Sequence, residues 1–573
     1  MIQQIERRRA ARGGALRREM MRRRVKRLVA GITAVVMLTL TACSGGGKAP
    51  ETPAASGGGQ TEAPAQGAAG SGQEKAETPK EEVPAGEPKY GGQLRVTLNN
   101  DPASMDPMLE DAEPAQIPAA HIFETALCNN IAGEVKPQVC TFEEKDNQVI
   151  LKVREGVTFH DGTPCEIADV EASANRWFNN VKIARTYVQD HLESMKVEGD
   201  ALVFTFKDPA PIATTIMSGW DRGLYVLPKE LCEKYPDSKI KDEDLNGTGP
   251  YKFAEHLADR YIKMEKYQDY KPLESDTDGL AETRHGYVDT LYFYAAPDIN
   301  ARISGVQTDE YDIAFGVPDN MRATLEADPN LDIEIKDLSI FCGLIFNYEK
   351  GQCTDVNLRN AILACLDMNS LMLAAQGAED LYYLNPSVTS TKSKWFYDES
   401  LGKYNNPDID KAKEYLAKSS YDGSPLVFIT TKDNAYMYKT ALAVSDMVKA
   451  AGIAMDIQVY DNATLKEYRM NPDKFDMFSC ALGEKVDPTQ IAFLEDGWAG
   501  FYKSEKKDEL LAKMSAETNF DKRYEYWQEL TKLLYEDLPN ITFGERRVVE
   551  VKRKSVHDTF DTVQKYYWNI WVD

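Results

Sequence analysis

The chain has 573 residues, with 91 acidic and 67 basic side chains and a formal net charge of −24. Residues 1–42 hold eleven of the bases and two of the acids, so the remainder carries a net −33. A surface that acidic repels nucleic-acid phosphates and gains nothing from anionic lipid headgroups, which argues against both as partners.

The first feature in chain order is an apolar run over residues 28–42, interrupted only by Thr33, Thr39 and Thr41. It is too short to cross a bilayer as a helix, which takes about 20 residues. With Arg22, Arg23, Arg24, Lys26 and Arg27 before it and small residues at its end, it reads as an export signal. Leu40-Thr41-Ala42-Cys43 resembles the bacterial lipobox, and that resemblance implies cleavage before Cys43 and acylation of its thiol. Residues 1–42 are therefore expected to be a lipoprotein signal peptide, with the acyl chain as the only membrane anchor. Residues 43–89 follow as the lipidated cysteine and a linker whose one larger apolar side chain is Val83. Such a segment cannot bury enough surface to fold. At ~5–6 Å × √n it would span about 35–40 Å, a tether between membrane and domain.

Order is expected from Tyr90. Residues 92–98 alternate as a strand, and further strand patterns cover 148–153, 201–206, 261–265, 290–294, 344–347, 426–430 and 454–459. Apolar residues at three- and four-residue steps predict helices over 356–373, 409–416, 436–451 and 521–534. Residues 426–459 read as a βαβ unit, and the alternation throughout predicts an α/β fold. Eight cysteines remain besides Cys43; Cys128/Cys140 and Cys342/Cys353 are close enough to form disulfides, or all eight are small buried apolar groups.

His160-Asp161-Gly162-Thr163-Pro164 has the composition of a tight turn, with Thr163-Pro164 expected to cap the next helix. The histidines show no i, i+4 or i, i+2 spacing, and no nucleophile-elbow, zincin or phosphate-loop pattern occurs. Neither enzyme activity nor a cofactor is expected.

Several separated segments together resemble one family. They are Gly91-Gly92-x-Leu94-Arg95-Val96 with Ser104-Met105-Asp106-Pro107; Arg154-x-Gly156-Val157-x-Phe159-His160-Asp161-Gly162-Thr163-Pro164 with Ala168-Asp169-Val170; Gly247-Thr248-Gly249-Pro250-Tyr251; Arg359 in Val356–Ile362; and Asp537-x-Pro539. This ordered set is similar to the family 5 extracellular solute-binding proteins of peptide and nickel ABC importers. The resemblance implies a two-lobed, periplasmic-binding-protein-like fold of type II with an extra subdomain in the large lobe. The large lobe would take residues 90–335, the second lobe 336–543, and residues 544–573 would return to the large lobe.

The resemblance also places the ligand. Peptide binders of this family carry Gly-Trp and then an acid a few residues before Asp-Pro, and that acid is implied to pair with the peptide α-ammonium. Aligning Asp487-Pro488 puts Glu484 at the acid and Ala481 in place of Trp, with Leu482 and Gly483 between them. Ser104, Met105 and Trp220 are further expected lining groups, and Arg469 is a candidate for the ligand carboxylate. The reading is a monomeric, extracytoplasmic, lipid-anchored subunit that captures short peptides in an interlobe cleft for an ABC permease and ATPase. The alternatives are a nickel chelate, sugar or other small solute as ligand, or a receptor subunit that senses one.

Overall fold

The computed structural model describes residues 87–573, apart from 111, 146 and 560–565. The expected signal peptide, Cys43 and the linker up to residue 86 lie outside them. Strand β1 (Gln93–Leu98) forms because Leu94, Val96 and Leu98 alternate into the core. A short hairpin follows, β2 (Leu127–Asn129) with β3 (Val135–Pro137). Next comes a separate antiparallel sheet of β4 (Cys140–Lys145), β5 (Gln148–Val153), β6 (Leu192–Glu198) and β7 (Ala201–Phe206), in the order β4-β5-β7-β6. Helix α1 (Ile167–Asn180) packs on it and starts from a capping box between Glu166 and Asp169. Thr163, expected as the cap, instead closes the turn before it: its N–H and hydroxyl both donate to Asp161 Oδ1, at 2.9 and 2.6 Å.

The chain continues through β8 (Tyr251–Leu257), β9 (Tyr261–Lys266), β10 (Thr290–Ala295), α2 (Ile299–Gln307), β11 (Ile313–Phe315) and the long β12 (Leu331–Phe346). Helices α3 (Val356–Leu363) and α4 (Met368–Gln376) replace the single helix expected there. The break comes at Asp367, whose carboxylate accepts the Ser370 N–H as the cap of α4. Then come β13 (Tyr382–Tyr383), β14 (Leu426–Thr431), α5 (Ala435–Val448), β15 (Met455–Tyr460), α6 (Asn462–Tyr468), β16 (Met477–Gly483), α7 (Phe520–Asp537) and β17 (Asn540–Arg553).

One eleven-stranded sheet runs β15-β14-β16-β12-β17-β11-β1-β10-β9-β8, with β13 beside β17. Parallel pairing occurs on both flanks, β1 with β10 and β11, and β14 with β15 and β16. The antiparallel strands β12 and β17 join the flanks, paired from Leu331↔Arg553 to Ile345↔Asn540. Their ladder is interrupted between Asp337 and Phe341, where Ser339 takes a left-handed φ of 45°. The chain thus passes twice between the halves at one irregular point, the geometry of a hinge.

The large core gathers β1, β5, β7 and β10 with Tyr566, Tyr567, Trp568 and Ile570 from the C-terminus. Two cores lie around β12, β14 and β16 on the other side of the hinge. Several family-motif residues hold this frame. Asp106 accepts the Met108, Leu109 and Ile240 N–H groups and pairs with Arg176 at 2.5 Å, both side chains almost wholly buried. Arg359 donates to the Asp537 and Cys353 carbonyls. Gly247 and Gly249 let their turn lie on the end of a helix, where a Cβ would sit 2.0 Å from the Ile122 carbonyl oxygen and 2.4 Å from that of His121.

All eight described cysteines are free and buried, so the two candidate disulfides are not formed. Burial pushes the Cys128 and Cys140 thiols up to about 12, the behaviour of small apolar groups.

Candidate functional site

Strand β16 carries Ala481, Leu482 and Gly483 to its carboxyl end, opposite Cys342, Phe341 and Ile340 of β12. Ala481 and Leu482 are half-buried, Gly483 is exposed, and a Cβ on Gly483 would meet nothing within 4 Å. Glu484 comes next, its N–H donating to the Ser339 carbonyl at 2.9 Å. The acid at the end of β16 is therefore fastened to the irregular residue of the hinge.

The Glu484 carboxylate accepts the Ser390 N–H at 3.0 Å and faces the hydroxyls of Ser339 and Ser393. Burial nevertheless pushes its pKa above the usual carboxylate value. The same residue, Ser390, donates its hydroxyl to Glu545 Oε1 at 3.0 Å, and the Asn385 amide reaches the other oxygen at 3.4 Å. Glu545 is 1% exposed, and burial raises its pKa too, with the negative charges of Glu484 and Asp337 adding to the shift. Asp337 is neutralised by Lys392 at 2.7 Å and Arg547 at 2.9 Å. Neither Glu484 nor Glu545 has such a partner: among the described residues they form no ion pair. Half-buried Glu484 and buried Glu545, bridged by one serine, can receive a cation, which would satisfy both by charge-assisted hydrogen bonds.

The loop bearing Ser390 is set by Trp395, which is 1% exposed and donates its indole N–H to the Val486 carbonyl at 3.0 Å. Beside it Lys394 donates to the Gly133 carbonyl, between β2 and β3, at 3.1 Å. Tyr187 donates to the Thr489 carbonyl at 3.3 Å, a second contact between the halves.

Two half-buried arginines on the second side of the hinge stack on aromatic rings. Arg546 stacks over Tyr436 with 3.8 Å to the ring centroid, and Arg469 lies over Trp498 at 4.9 Å and Phe478 at 5.9 Å. The Nε of each is buried with no hydrogen-bond partner, and neither arginine forms an ion pair among the described residues.

The other expected site residues lie elsewhere. Asp487 is buried in an ion pair with Arg523 at 2.7 Å and caps the turn Pro488–Gln490. Met105 is fully buried in the large core, and Ser104 Oγ accepts the Asp106 N–H. Trp220 is half-buried against that core, its carbonyl accepting the Tyr225 hydroxyl at 2.6 Å. No described contact joins Ser104, Met105 or Trp220 to Glu484. Sequence reasoning missed Glu545, Ser390 and Arg546. No local signal marks them; only the pairing of β12 with β17 and the fold of the serine loop bring Glu545 and Ser390 to Glu484, and Arg546 lies instead over Tyr436. Among the described residues, no group of three or more His, Cys, Asp or Glu is arranged to hold a metal ion.

The chain is 22% identical over 497 residues to a probable peptide ABC transporter periplasmic-binding protein of Sinorhizobium fredii, covering 83% of this chain and 93% of that protein. It is 24% identical to the oligopeptide-binding protein AppA of Bacillus subtilis, covering 79% and 86%. The solved structure of AppA with a nonapeptide superposes with a TM-score of 0.67 over 85% of this chain and 100% of that one. The substrate-binding protein CtaP of Listeria monocytogenes superposes with a TM-score of 0.74 at 19% identity, over 84% and 100%. These structural likenesses establish the two-lobed fold. The family model described as bacterial extracellular solute-binding proteins, family 5 Middle, matches residues 134–496, well over half of the chain. The chain belongs to the family 5 bacterial extracellular solute-binding proteins, which are extracytoplasmic binding proteins and not enzymes.

Proposed function

We propose that this protein is the ligand-capturing subunit of an ABC importer, that it takes short peptides, and that Glu484 and Glu545 together bind the peptide α-ammonium. The observation that carries this reading is the uncompensated carboxylate pair, half-buried at Glu484 and buried at Glu545, and fastened to the hinge through Ser339. The names of the relatives, which speak of peptides, point the same way. An ammonium between the carboxylates supplies the missing positive charge, and closing the lobes over it removes competing water. Ala481 leaves room where peptide binders carry Trp, which suits a bulky side chain beside the ammonium. The closed monomer then presents its ligand to the permease, while ATP hydrolysis belongs to partner chains. Acylation at Cys43 would keep the domain within reach of that permease.

Native mass spectrometry of the chain extracted from a peptide-rich host tests the proposal. The expected result is a Cys43-diacylated mass carrying a ladder of short-peptide adducts, with the ladder absent in Glu484→Ala. A single non-peptide adduct would replace the peptide reading, and an unmodified mass retaining residues 1–42 would remove the lipid anchor.

A further inference from the structure

A second site lies across the hinge from the carboxylate pair. A cavity of about 130 Å³ opens between the carboxyl ends of β1 and β11, marked by Asn99 and Gly316, and the hinge strands at Leu338 and Val548. This is the edge at which α/β sheets receive ligands, outside the carboxyl ends of parallel strands. The volume suits an end group or a side chain, since a cavity of about 150 Å³ holds a benzene ring. A Cβ on Gly316 would meet nothing within 4 Å, so the space is open there too.

The charges on its wall are Arg302 and Lys336 alone, both basic, in a chain of net charge −24. Lys336 is answered by Glu334 behind it. Arg302 has no ion-pair partner among the described residues. Its Nη1 donates to the Ala296 and Pro297 carbonyls at 2.8 and 3.3 Å, which fixes the guanidinium, while its Nε is buried with no hydrogen-bond partner. A buried donor left unmade is costly, and a carboxylate is the acceptor that would satisfy both its hydrogen and its charge.

We propose that this cavity receives a carboxylate of the bound ligand, with Arg302 as its donor. The inference rests on the peptide reading above and adds the opposite end of the ligand. Val548 pairs with Lys336 across β17 and β12, so both hinge strands contribute to one wall of the cavity. The carboxylate is the C-terminus of the ligand or one of its acidic side chains.

The test measures binding of three tripeptide pools to the full-length chain and to Arg302→Gln. One pool has free carboxyl ends, one is C-terminally amidated, and one is amidated with glutamate last. The expected result is a preference of about tenfold or more for the free-acid pool over the plain amide, abolished in Arg302→Gln. A merely structural arginine would shift all pools together, and Arg302→Lys, which keeps the charge, should retain part of the preference. Recovery of binding by the glutamate pool assigns the site to acidic side chains as well; no recovery assigns it to the C-terminus. Equal binding of acid and amide, or a preference that survives in Arg302→Gln, overturns the carboxylate site and leaves the peptide reading standing. Failure of all three pools to bind the unsubstituted chain overturns the peptide reading, and this inference with it.

Discussion

Two carboxylate sites withdrawn from solvent in this molecule follow opposite rules. Asp106, between Met105 and Met108 of the large core, meets Arg176 and three backbone N–H groups, so its charge and lone pairs are all answered. Glu484 and Glu545, at the hinge, are answered by neutral donors only; burial raises the pKa of both, and the Glu484 charge adds to the shift at Glu545. Both sites carry residues the sequence marks out, Asp106 in Ser104–Pro107 and Glu484 ahead of Asp487-Pro488. Charge balance separates them: a buried acid with its cation holds the fold, and a pair without one awaits a ligand.

The largest expected effect breaks the balanced site. Asp106→Ala leaves the Arg176 guanidinium buried without its counter-charge and removes the anchor of the Ile240 N–H. Loss of one partner of a buried pair costs about 3–5 kcal/mol. Denaturant unfolding should show that loss, while the fraction that stays folded binds ligand with unchanged affinity. A large affinity defect at full stability would erase the distinction between the sites.

The unbalanced site should respond the other way round. Glu545→Gln keeps the shape and a hydrogen-bonding oxygen for Ser390 while removing one of two repelling charges. Unfolding midpoints should hold or rise slightly. Affinity for a ligand with a free amine should fall about 10- to 100-fold by calorimetry, the range for losing a charged hydrogen bond. An N-acetylated ligand, having no ammonium, should bind weakly and lose nothing further.

The contrast also explains what the sequence revealed. Strand 148–153 was legible because buried Val149 and Leu151 alternate with more exposed neighbours, strand 201–206 because it is a short apolar run buried almost throughout, and the 426–459 unit because its helix and strands are punctuated by Gly452. Residues 331–343 of β12 and all of β17 were not. Leu331, Ile333 and Ile335 do alternate with Asp332, Glu334 and Lys336, but the period ends at Lys336 and Asp337, and the charges of β12 face Arg547, Glu550 and Lys552. They are tolerated because they pair with one another: Lys552 meets Glu334 at 2.5 Å and Arg547 meets Asp337 at 2.9 Å. The helix expected over 356–373 failed for a local reason, since Asp367 acts as a cap inside an apolar period. At the site, Glu484 emerged from its distance to Asp487-Pro488, but Asp487 itself is tied up with Arg523. Glu545 lies 61 residues further on in a charged strand, and only tertiary pairing identifies it.

The finest test of the contrast is pH. Both hinge carboxyls have pKa values raised above the ordinary 4.5, so the empty folded protein holds protons that the unfolded chain releases. Their contribution to stability is therefore present at and below pH 4.5 and is lost as pH rises through the raised values. An ammonium ligand demands the opposite state, both oxygens charged. Its affinity should be weak in acid, climb as pH passes through the raised values, and level off above them. Calorimetry in two buffers of different ionisation enthalpy, at a weakly acidic pH, should then register protons released on binding. In Glu545→Gln the remaining acid no longer feels a charged neighbour, so the climb should shift to lower pH and the released protons should diminish. An affinity that stays flat from neutral pH down to about 4.5 would mean that the pair never exchanges its protons for a cation, and the hinge acids would join Asp106 as parts of the frame.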